Sequence, residues 1–394
     1  MASGAVVIDV GSGFTKVGYS GEDTPQSTFA TRVATVDRGG MRDDSTAMYY
    51  VGNDLASQLP DSTLKGVDVV KPVVDGRIVK AKTMVEERAL EKVFEAAFSR
   101  ELGIDDLAKA GLPVLLADMP TSDRRTKETL TQMMFETFNA PGFHLTSSAV
   151  LSLIASGRTR GCVVECGADV THIVPVVEGF ALAHATRRIA VGGSDIDDHI
   201  RDHLAKVGTR FTSWQDHLVR SVKEELCCVA GDYEATMREV DGQSPVEHEL
   251  PDGQTIAISQ TLRRAAPEII FSGSAMTDGV GAQSGLGQLI ADSIAICDND
   301  LKHDLYEHIV VAGGTSMLPG FAARVERDVR SAVPERSNVT VDADSQRKYA
   351  AWIGGSMFAS LSTFGDLHIK REEYEESGGQ HGDRPETIIH RRCL

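Results

Sequence analysis

The 394-residue chain lacks any apolar run near the roughly 18 residues that a membrane-crossing helix requires, so no span is expected. It also lacks an excess of positive charge. Forty Lys and Arg stand against 57 Asp and Glu, a net charge of −17 with a pI near 5.1. That balance argues against a nucleic-acid or anionic-membrane surface, and a locally basic patch stays open. Cysteine is sparse: Cys162, Cys166, Cys227, Cys228, Cys297 and Cys393. Cys162 and Cys166 share one face of an expected strand, but no second pair has zinc-site spacing, which leaves buried free thiols in a reducing compartment. No basic or apolar leader precedes the first expected strand at Ala5, residue 2 is not Gly, and Cys393 is penultimate. Signal peptide, myristoylation and prenylation are therefore not expected. Cytosol, cytoskeleton and nucleus remain open.

With 41% apolar and 25% charged residues the composition is that of a soluble globular protein, and the length suits two cores. Two stretches repeat. Val6-Val-Ile-Asp-Val-Gly-Ser-Gly-Phe-Thr-Lys-Val-Gly18 returns as Cys162-Val-Val-Glu-Cys-Gly-Ala-Asp-Val-Thr-His-Ile-Val174, without a gap, at an offset of 156. Asp9 falls on Glu165, Gly11 on Gly167, Thr15 on Thr171 and Lys16 on His172. Each copy reads as a hairpin with a glycine-bearing turn and an acid at its mouth. One such hairpin alone is an ordinary surface feature. A pair in register reads as a phosphate clamp, with backbone N–H groups for phosphate and the acids for a hydrated Mg²⁺.

Between the copies, Phe29 to Thr46 shows neither period and reads as a surface loop, either mobile or a partner contact, closed by a strand at Tyr49–Gly52. Val85 to Arg100 has the spacing of an amphipathic helix, and Pro113–Pro120 that of a buried strand. Asp123 is placed to cap a helix running to Phe138, and Ser147–Ser156 is apolar nearly all round, the mark of a buried helix. After the second hairpin, Gly192-Gly-Ser-Asp195 leads into a helix, and a further helix is expected from Asp216 to Tyr233. Leu250–Ile256 carries a hairpin turn, and 272–287 is Gly- and Ser-rich, the weakest stretch for structure. Ile309–Ala312 reads as a strand entering Gly313-Gly314, with Thr315 and Ser316 as caps of the next helix. That is how an α/β fold brings backbone and a helix N-terminus to a ligand. Arg347–Ser356 opens the last helical section.

These segments together resemble actin and the actin-related proteins over essentially the whole chain. The most specific matches are Tyr50-Val-Gly, Met134-Phe-Glu-Thr-Phe-Asn139, Ala149-Val-Leu-Ser-Leu153, Glu178-Gly-Phe-Ala-Leu182, Leu250-Pro-Asp-Gly-Gln254, Trp352-Ile-Gly-Gly-Ser356 and Ile389-His-Arg-Arg-Cys-Leu394. The resemblance implies an α/β actin-like ATPase fold, two RNase H-like halves in four subdomains around a nucleotide cleft. Subdomain 1 would take residues 1–30, 71–155 and 349–394, and subdomain 2 residues 31–70. Subdomain 3 would take 156–191 and 280–348, and subdomain 4 residues 192–279.

It also implies ATP or ADP with Mg²⁺ or Ca²⁺ in the cleft. By position, Gly11, Ser12, Gly13 and Lys16 would hold phosphate from one side, with Gly167 in the second loop. Asp9 and Glu165 would orient metal-bound water. Gly193 would lie near the ribose, with Lys223 and Glu224 on the adenosine. Gly313, Gly314, Thr315 and Met317 would line the base and α-phosphate side, and Lys348 would close the adenine pocket. Ser148 to Gly157 would be the hinge helix.

The chain departs from the family pattern at the chemistry. Where the family places a water-positioning glutamine this chain has Ser148, whose hydroxyl reaches less far and makes fewer hydrogen bonds than an amide. The aspartate of the second loop is Glu165, and a second aspartate is Ala168, with Asp169 displaced by one. His172, which helps polarise the attacking water, is retained. Very slow hydrolysis, binding without hydrolysis, and an empty or ADP-locked cleft are the three outcomes this implies.

The surfaces differ as well. The inserting loop has Met41 among Arg38, Arg42, Asp43 and Asp44, and the plug counterpart Ser274–Gly285 is short of large apolar residues. Self-assembly into long filaments is thus less expected than incorporation with other actin-like subunits in a cytoskeletal or motor-associated complex. The cleft at Ala155–Arg158 and Leu361–Phe364 is well matched for an amphipathic partner helix, and an extra loop spans Gly379–Pro385. The expectation is a cytoplasmic, cytoskeletal ATP-binding subunit. The alternatives are a nucleotide-indifferent scaffold of a nuclear chromatin-remodelling complex, and a sugar kinase or chaperone ATPase of the same fold.

Overall fold

In a computed structural model, the structure describes residues 4–36, 48–52, 68–79, 84–211, 215–250, 253, 255–272 and 284–376. The expected inserting loop around Met41, most of the plug counterpart, the loop Gly379–Pro385 and the C-terminal Ile389–Leu394 lie outside these residues. The chain forms two compact units. The first is Met1–Thr159, Val176–Ala181 and Tyr349–Leu394; the second is Arg160–Pro175 and Leu182–Lys348. Among the described residues no helix is long and apolar enough to cross a membrane.

The first unit is built on a six-stranded sheet in the order Ile369–Lys370, Gly142–Ser147, Val114–Asp118, Val6–Val10, Phe14–Tyr19, Ser27–Ala30. Val6–Val10 pairs antiparallel with Phe14–Tyr19 and parallel with Val114–Asp118, which in turn runs parallel to Gly142–Ser147. Val6, Val7, Ile8, Val114 and Leu115 are fully buried. Both faces of these central strands are covered, which is why the sequence shows continuous apolar runs and not alternation. One face carries Phe94, Phe98, Met134, Phe135 and Phe143. The other carries the helices Ser148–Ala155 and Ala350–Ala359, where buried Trp352 donates its indole N–H to the Val7 carbonyl at 3.0 Å. Gly354 lies so close to its neighbour that an added Cβ would sit 1.8 Å from the Leu151 carbonyl oxygen.

The second unit repeats this plan. Its sheet places Thr171–Val177, Arg160–Cys166, Ile309–Ala312 and Val341–Asp342 side by side, with Arg187–Ile189 against the outer edge of Thr171–Val177. Arg160–Cys166 pairs in parallel with Ile309–Ala312. Asp9 is opposite Ala117 in the first sheet and Glu165 opposite Ala312 in the second. The strand entering Gly313 is therefore the counterpart of the strand that ends in Asp118. Cys162, Cys166, Cys227 and Cys297 are buried free thiols among the described residues, and Ile196, Ile200, Val219 and Val222 fill the core beside them.

Most expected elements form where the sequence places them. Asp123 caps the helix Arg124–Gln132, its Oδ1 accepting from Thr126 N at 2.7 Å, and a π-helical turn continues to Thr137. The amphipathic segment is a helix over Met84–Glu95 that passes into a π-helical turn, Ala96–Glu101. Helices also form at Ser148–Ala155 and Gly193–Lys206, and the expected hairpin pairs Val246–Glu249 with Thr255–Ile258.

Three expectations are corrected. Phe29 to Val36 is not loop: Ser27–Ala30 pairs with Phe14–Tyr19, and Val33–Val36 pairs with both Met48–Val51 and Asp68–Val70. Strands of four residues are too short to display a period, and tertiary pairing decides them. The helix from Asp216 stops at Leu226, because Cys228 N turns to the Arg263 carbonyl and Val229 N to that of Pro319. A new helix, Tyr233–Val240, starts after Asp232, whose carboxylate accepts from Ala235 N at 3.0 Å. Thr315 and Ser316 do not cap the helix after Ile309–Ala312. They belong to a 3₁₀ turn, Gly314–Met317, and the helix begins at Phe321 behind Gly320.

Candidate functional site

The hairpins close with the same turn. Gly11 N donates to the Phe14 carbonyl at 3.1 Å, and Gly167 N donates to that of Val170 at 2.9 Å. In the first unit, Asp9 and Lys16 face each other across the strands, and Lys16 Nζ lies 2.6 Å from Asp9 Oδ2. Both are only slightly exposed, so the carboxylate holds the ammonium at the hairpin mouth in a charge-assisted hydrogen bond. Ser12 is buried, and the Gly13 carbonyl accepts from Thr31 N at 3.1 Å. Thr15 and Thr31 share a hydrogen bond at 2.9 Å beneath the turn. Asp9, Gly11, Ser12, Gly13 and Lys16 thus form one polar turn with a positive side chain tethered to it.

In the second unit four segments meet. Thr315 Oγ1 donates to the Gly167 carbonyl at 2.6 Å, and Gly193 N donates to the same carbonyl at 3.0 Å. Lys223 Nζ donates to the Gly193 carbonyl at 2.9 Å and pairs with Asp197 at 2.9 Å. A Cβ on Gly193 would lie 2.4 Å from Thr315 Oγ1 and 3.0 Å from Lys223 Nζ. Only glycine lets these groups converge. Gly313 has φ +90°, and a Cβ there would approach the Cys166 carbonyl to 2.3 Å, so conformation and space both require glycine. Arg347 clamps the turn, donating to the Ser316 carbonyl through Nη2 at 2.9 Å, while its own carbonyl accepts from Gly313 N at 3.1 Å. Met317 is half-buried beside Thr315; Gly314, Glu224 and Lys348 are exposed.

Asp197 carries no local sequence signal of a role. It sits in the helix Gly193–Lys206, one turn past Gly193, and its role shows only once Lys223 is brought beside it. Burial raises its carboxyl above the usual range, and Lys223 opposes that. A like position on a helix surface would read as a solvated acid, which is why spacing alone could not find it.

Where the sequence departs from the family pattern, the second loop has rebuilt its contacts. The Ala168 carbonyl accepts from Ser194 N at 2.6 Å, and Asp169 accepts from Ser194 Oγ at 2.8 Å. Asp169 is thereby engaged at the start of the helix Gly193–Lys206. Glu165 is half-buried at the end of its strand. His172 is buried, and desolvation, with Arg188 opposite it in register, lowers its imidazole to about 4. Its ring is therefore neutral at pH 7. Ser148 is half-buried at the first position of its helix in the first unit.

Among the described residues no three His, Cys, Asp or Glu side chains group to hold a metal ion. Elsewhere in the first unit, Met357 and Leu361 are exposed apolar side chains, 46% and 53% accessible, near the matched stretch Leu361–Phe364. A family model described as Actin matches residues 1–394.

Proposed function

The chain belongs to the actin family and has its α/β fold, and from that premise we propose that it binds ATP or ADP with Mg²⁺ or Ca²⁺ and hydrolyses ATP slowly or not at all. The tethered pair Asp9–Lys16 at the turn Gly11–Gly13 is the observation that carries the binding half of this reading. A phosphate would draw Lys16 from Asp9 and take up the N–H groups of the turn. Gly167, Gly193, Lys223, Gly313 and Thr315 would form the nucleoside side, with Glu224, Gly314, Met317 and Lys348 at its rim. Asp9, at the mouth of the first hairpin, would hold the cation through water. The cation neutralises phosphate charge when bound; the chain's own groups position the nucleotide and its water.

The proposed low turnover rests on Ser148, Glu165 and Ala168. A hydroxyl replaces an amide, a carboxylate is displaced by one methylene, and a methyl stands where a carboxylate would be. His172 keeps a neutral ring for polarising water. The protein would serve as a structural subunit of an actin-like, cytoskeletal or motor-associated assembly in the cytoplasm. The exposed Met357 and Leu361 would take an amphipathic partner helix together with Ala155–Arg158.

One observation supports a nucleotide-indifferent scaffold as a second reading. The Gly167 and Ala168 carbonyls accept from Thr315, Gly193 and Ser194 of the same unit, so the second loop is braced by the chain itself. Nucleotide content separates the two. Protein purified without added nucleotide and then denatured is expected to release adenine nucleotide at about one per chain by chromatography. An empty protein that still pellets with its assembly would overturn nucleotide binding and leave the scaffold.

A further inference from the structure

Beside the end of the strand Val6–Val10, away from the turn Gly11–Gly13, the first unit holds a half-open cavity of about 40 Å³. Its polar wall is Asp118, Ser122 and Thr126, and the rest is apolar, with Phe94, Leu116 and Leu130. Val10, the last residue of the strand that enters the turn at Gly11, also borders it.

Asp118 is 7% exposed, and its ion pair with Lys127 spans 3.8 Å, too long for a hydrogen bond. The Ser122 hydroxyl is buried and makes no hydrogen bond of good geometry, though it lies close enough to Asp118 to favour its charged form. A buried hydroxyl and carboxylate in this condition are costly unless something in the cavity serves them. A void needs about 10–15 Å³ to hold a water, and that water needs polar partners. This one has both.

We propose that the cavity is a hydrated proton-binding site, in which about two or three waters bridge Ser122, Thr126 and Asp118. Through them the Asp118 carboxylate takes a proton from solvent and returns it. Burial lifts the Asp118 carboxyl to about 6; Lys127, the Ser122 hydroxyl and the Met119 N–H pull it down, and Asp123 adds a small push upward.

The other charges near the walls are already accounted for. Asp75 and Arg77 are exposed on the turn between Val73–Val74 and Arg77–Ile78, and Lys92 pairs with Glu95 at 2.5 Å. Asp9 pairs with Lys16. Among the described residues Lys127 is the cation paired with Asp118, and a bound metal cation would have to compete with it.

The sign of the linkage follows. Free aspartate titrates near 3.8, so between that pH and about 6 the unfolded chain has lost a proton that the folded chain keeps. The contribution of Asp118 to stability is complete below this window, falls as pH rises through it, and is absent above about 6.

Infrared spectra of the full chain, recorded from pH 4 to 8, test the site. A protonated carboxyl band is expected that disappears with a midpoint near 6 and is missing in Asp118→Asn. Ser122→Val removes a polar partner and fills volume, so the midpoint should move up by about one unit while other buried carboxyls stay put. In chemical denaturation, the folding constant of the wild type relative to Asp118→Asn should fall by about a hundredfold across the window. A midpoint in the ordinary carboxylate range would overturn the proposal. So would a midpoint that Ser122→Val leaves unmoved, a reading that stands even where Asp118→Asn does not fold.

Discussion

Ser148→Gln is expected to raise phosphate release from bound ATP by about 10²-fold, toward the lower end of what positioned proton transfer supplies. The serine stands at the first position of the helix Ser148–Ala155, half-buried, where the strand Gly142–Ser147 ends. A glutamine there places an amide oxygen and nitrogen farther from the backbone, enough to hold one water by two hydrogen bonds. The change costs the fold little, because glutamine is a good helix former. The gain stays at the lower end because Glu165 remains one methylene too long, and a misplacement of about 1 Å can cost about 10²-fold. Glu165→Asp, made separately, should raise the rate as well. Single-turnover phosphate release on nucleotide-loaded protein measures both. An unchanged rate in Ser148→Gln, with nucleotide still bound, would place the limit elsewhere than the helix start.

Gly354→Ala should cost more stability than the other Gly→Ala changes among the described glycines of the first unit. In an exposed helix the change would help by about 1 kcal/mol, because alanine loses less backbone entropy than glycine. Here the new Cβ would lie 1.8 Å from the Leu151 carbonyl oxygen and 2.5 Å from its carbon. Those are backbone atoms of a packed helix and cannot rotate away, so the helices Ser148–Ala155 and Ala350–Ala359 must separate. The cost should reach about 3 kcal/mol, at the upper end of ordinary overpacking. At about 2–4 °C per kcal/mol, Tm should fall by roughly 6–12 °C. Gly355→Ala meets only side chains, Val7 at 2.8 Å and Leu115 at 3.1 Å, and should cost less. Gly365→Ala meets nothing within 4 Å and serves as the control. Gly354→Ala melting at or above the wild-type temperature would mean that the two helices are not packed at this distance.

The same contact illustrates what a sequence can and cannot reveal. Both hairpins were legible because an acid, a glycine and β-branched runs recur in register, and each of those residue types has a local reason to be there. The buried strand Val114–Asp118 was legible from its apolar run between prolines, and the cap Asp123 from its distance to that run. By contrast, Val33–Val36 owes its strand conformation to two partners distant in sequence, and no local period announces it. The end of the helix at Leu226 is set by the Arg263 and Pro319 carbonyls, again distant. Thr315 looked like a helix cap because its side chain can play that part. It donates to Gly167 instead, 148 residues away. Asp197 and Asp118 escaped notice because a carboxylate acquires its meaning from burial and partners, and neither is encoded in its immediate neighbours.

The twin turns at Gly11 and Gly167 carry one more implication, about descent. Their backbone hydrogen bonds are alike in kind and length, while the residues beside them have parted company: Lys16 against His172 and Asp9 against Glu165. A gene that doubles a half-domain obtains a spare. The geometry is inherited twice, and the chemistry needs to survive only once. One copy can keep its grip on an anion while the other turns its polar groups inward and becomes architecture. A lineage can in this way retire a catalytic step by single substitutions without ever passing through an ancestor that fails to fold.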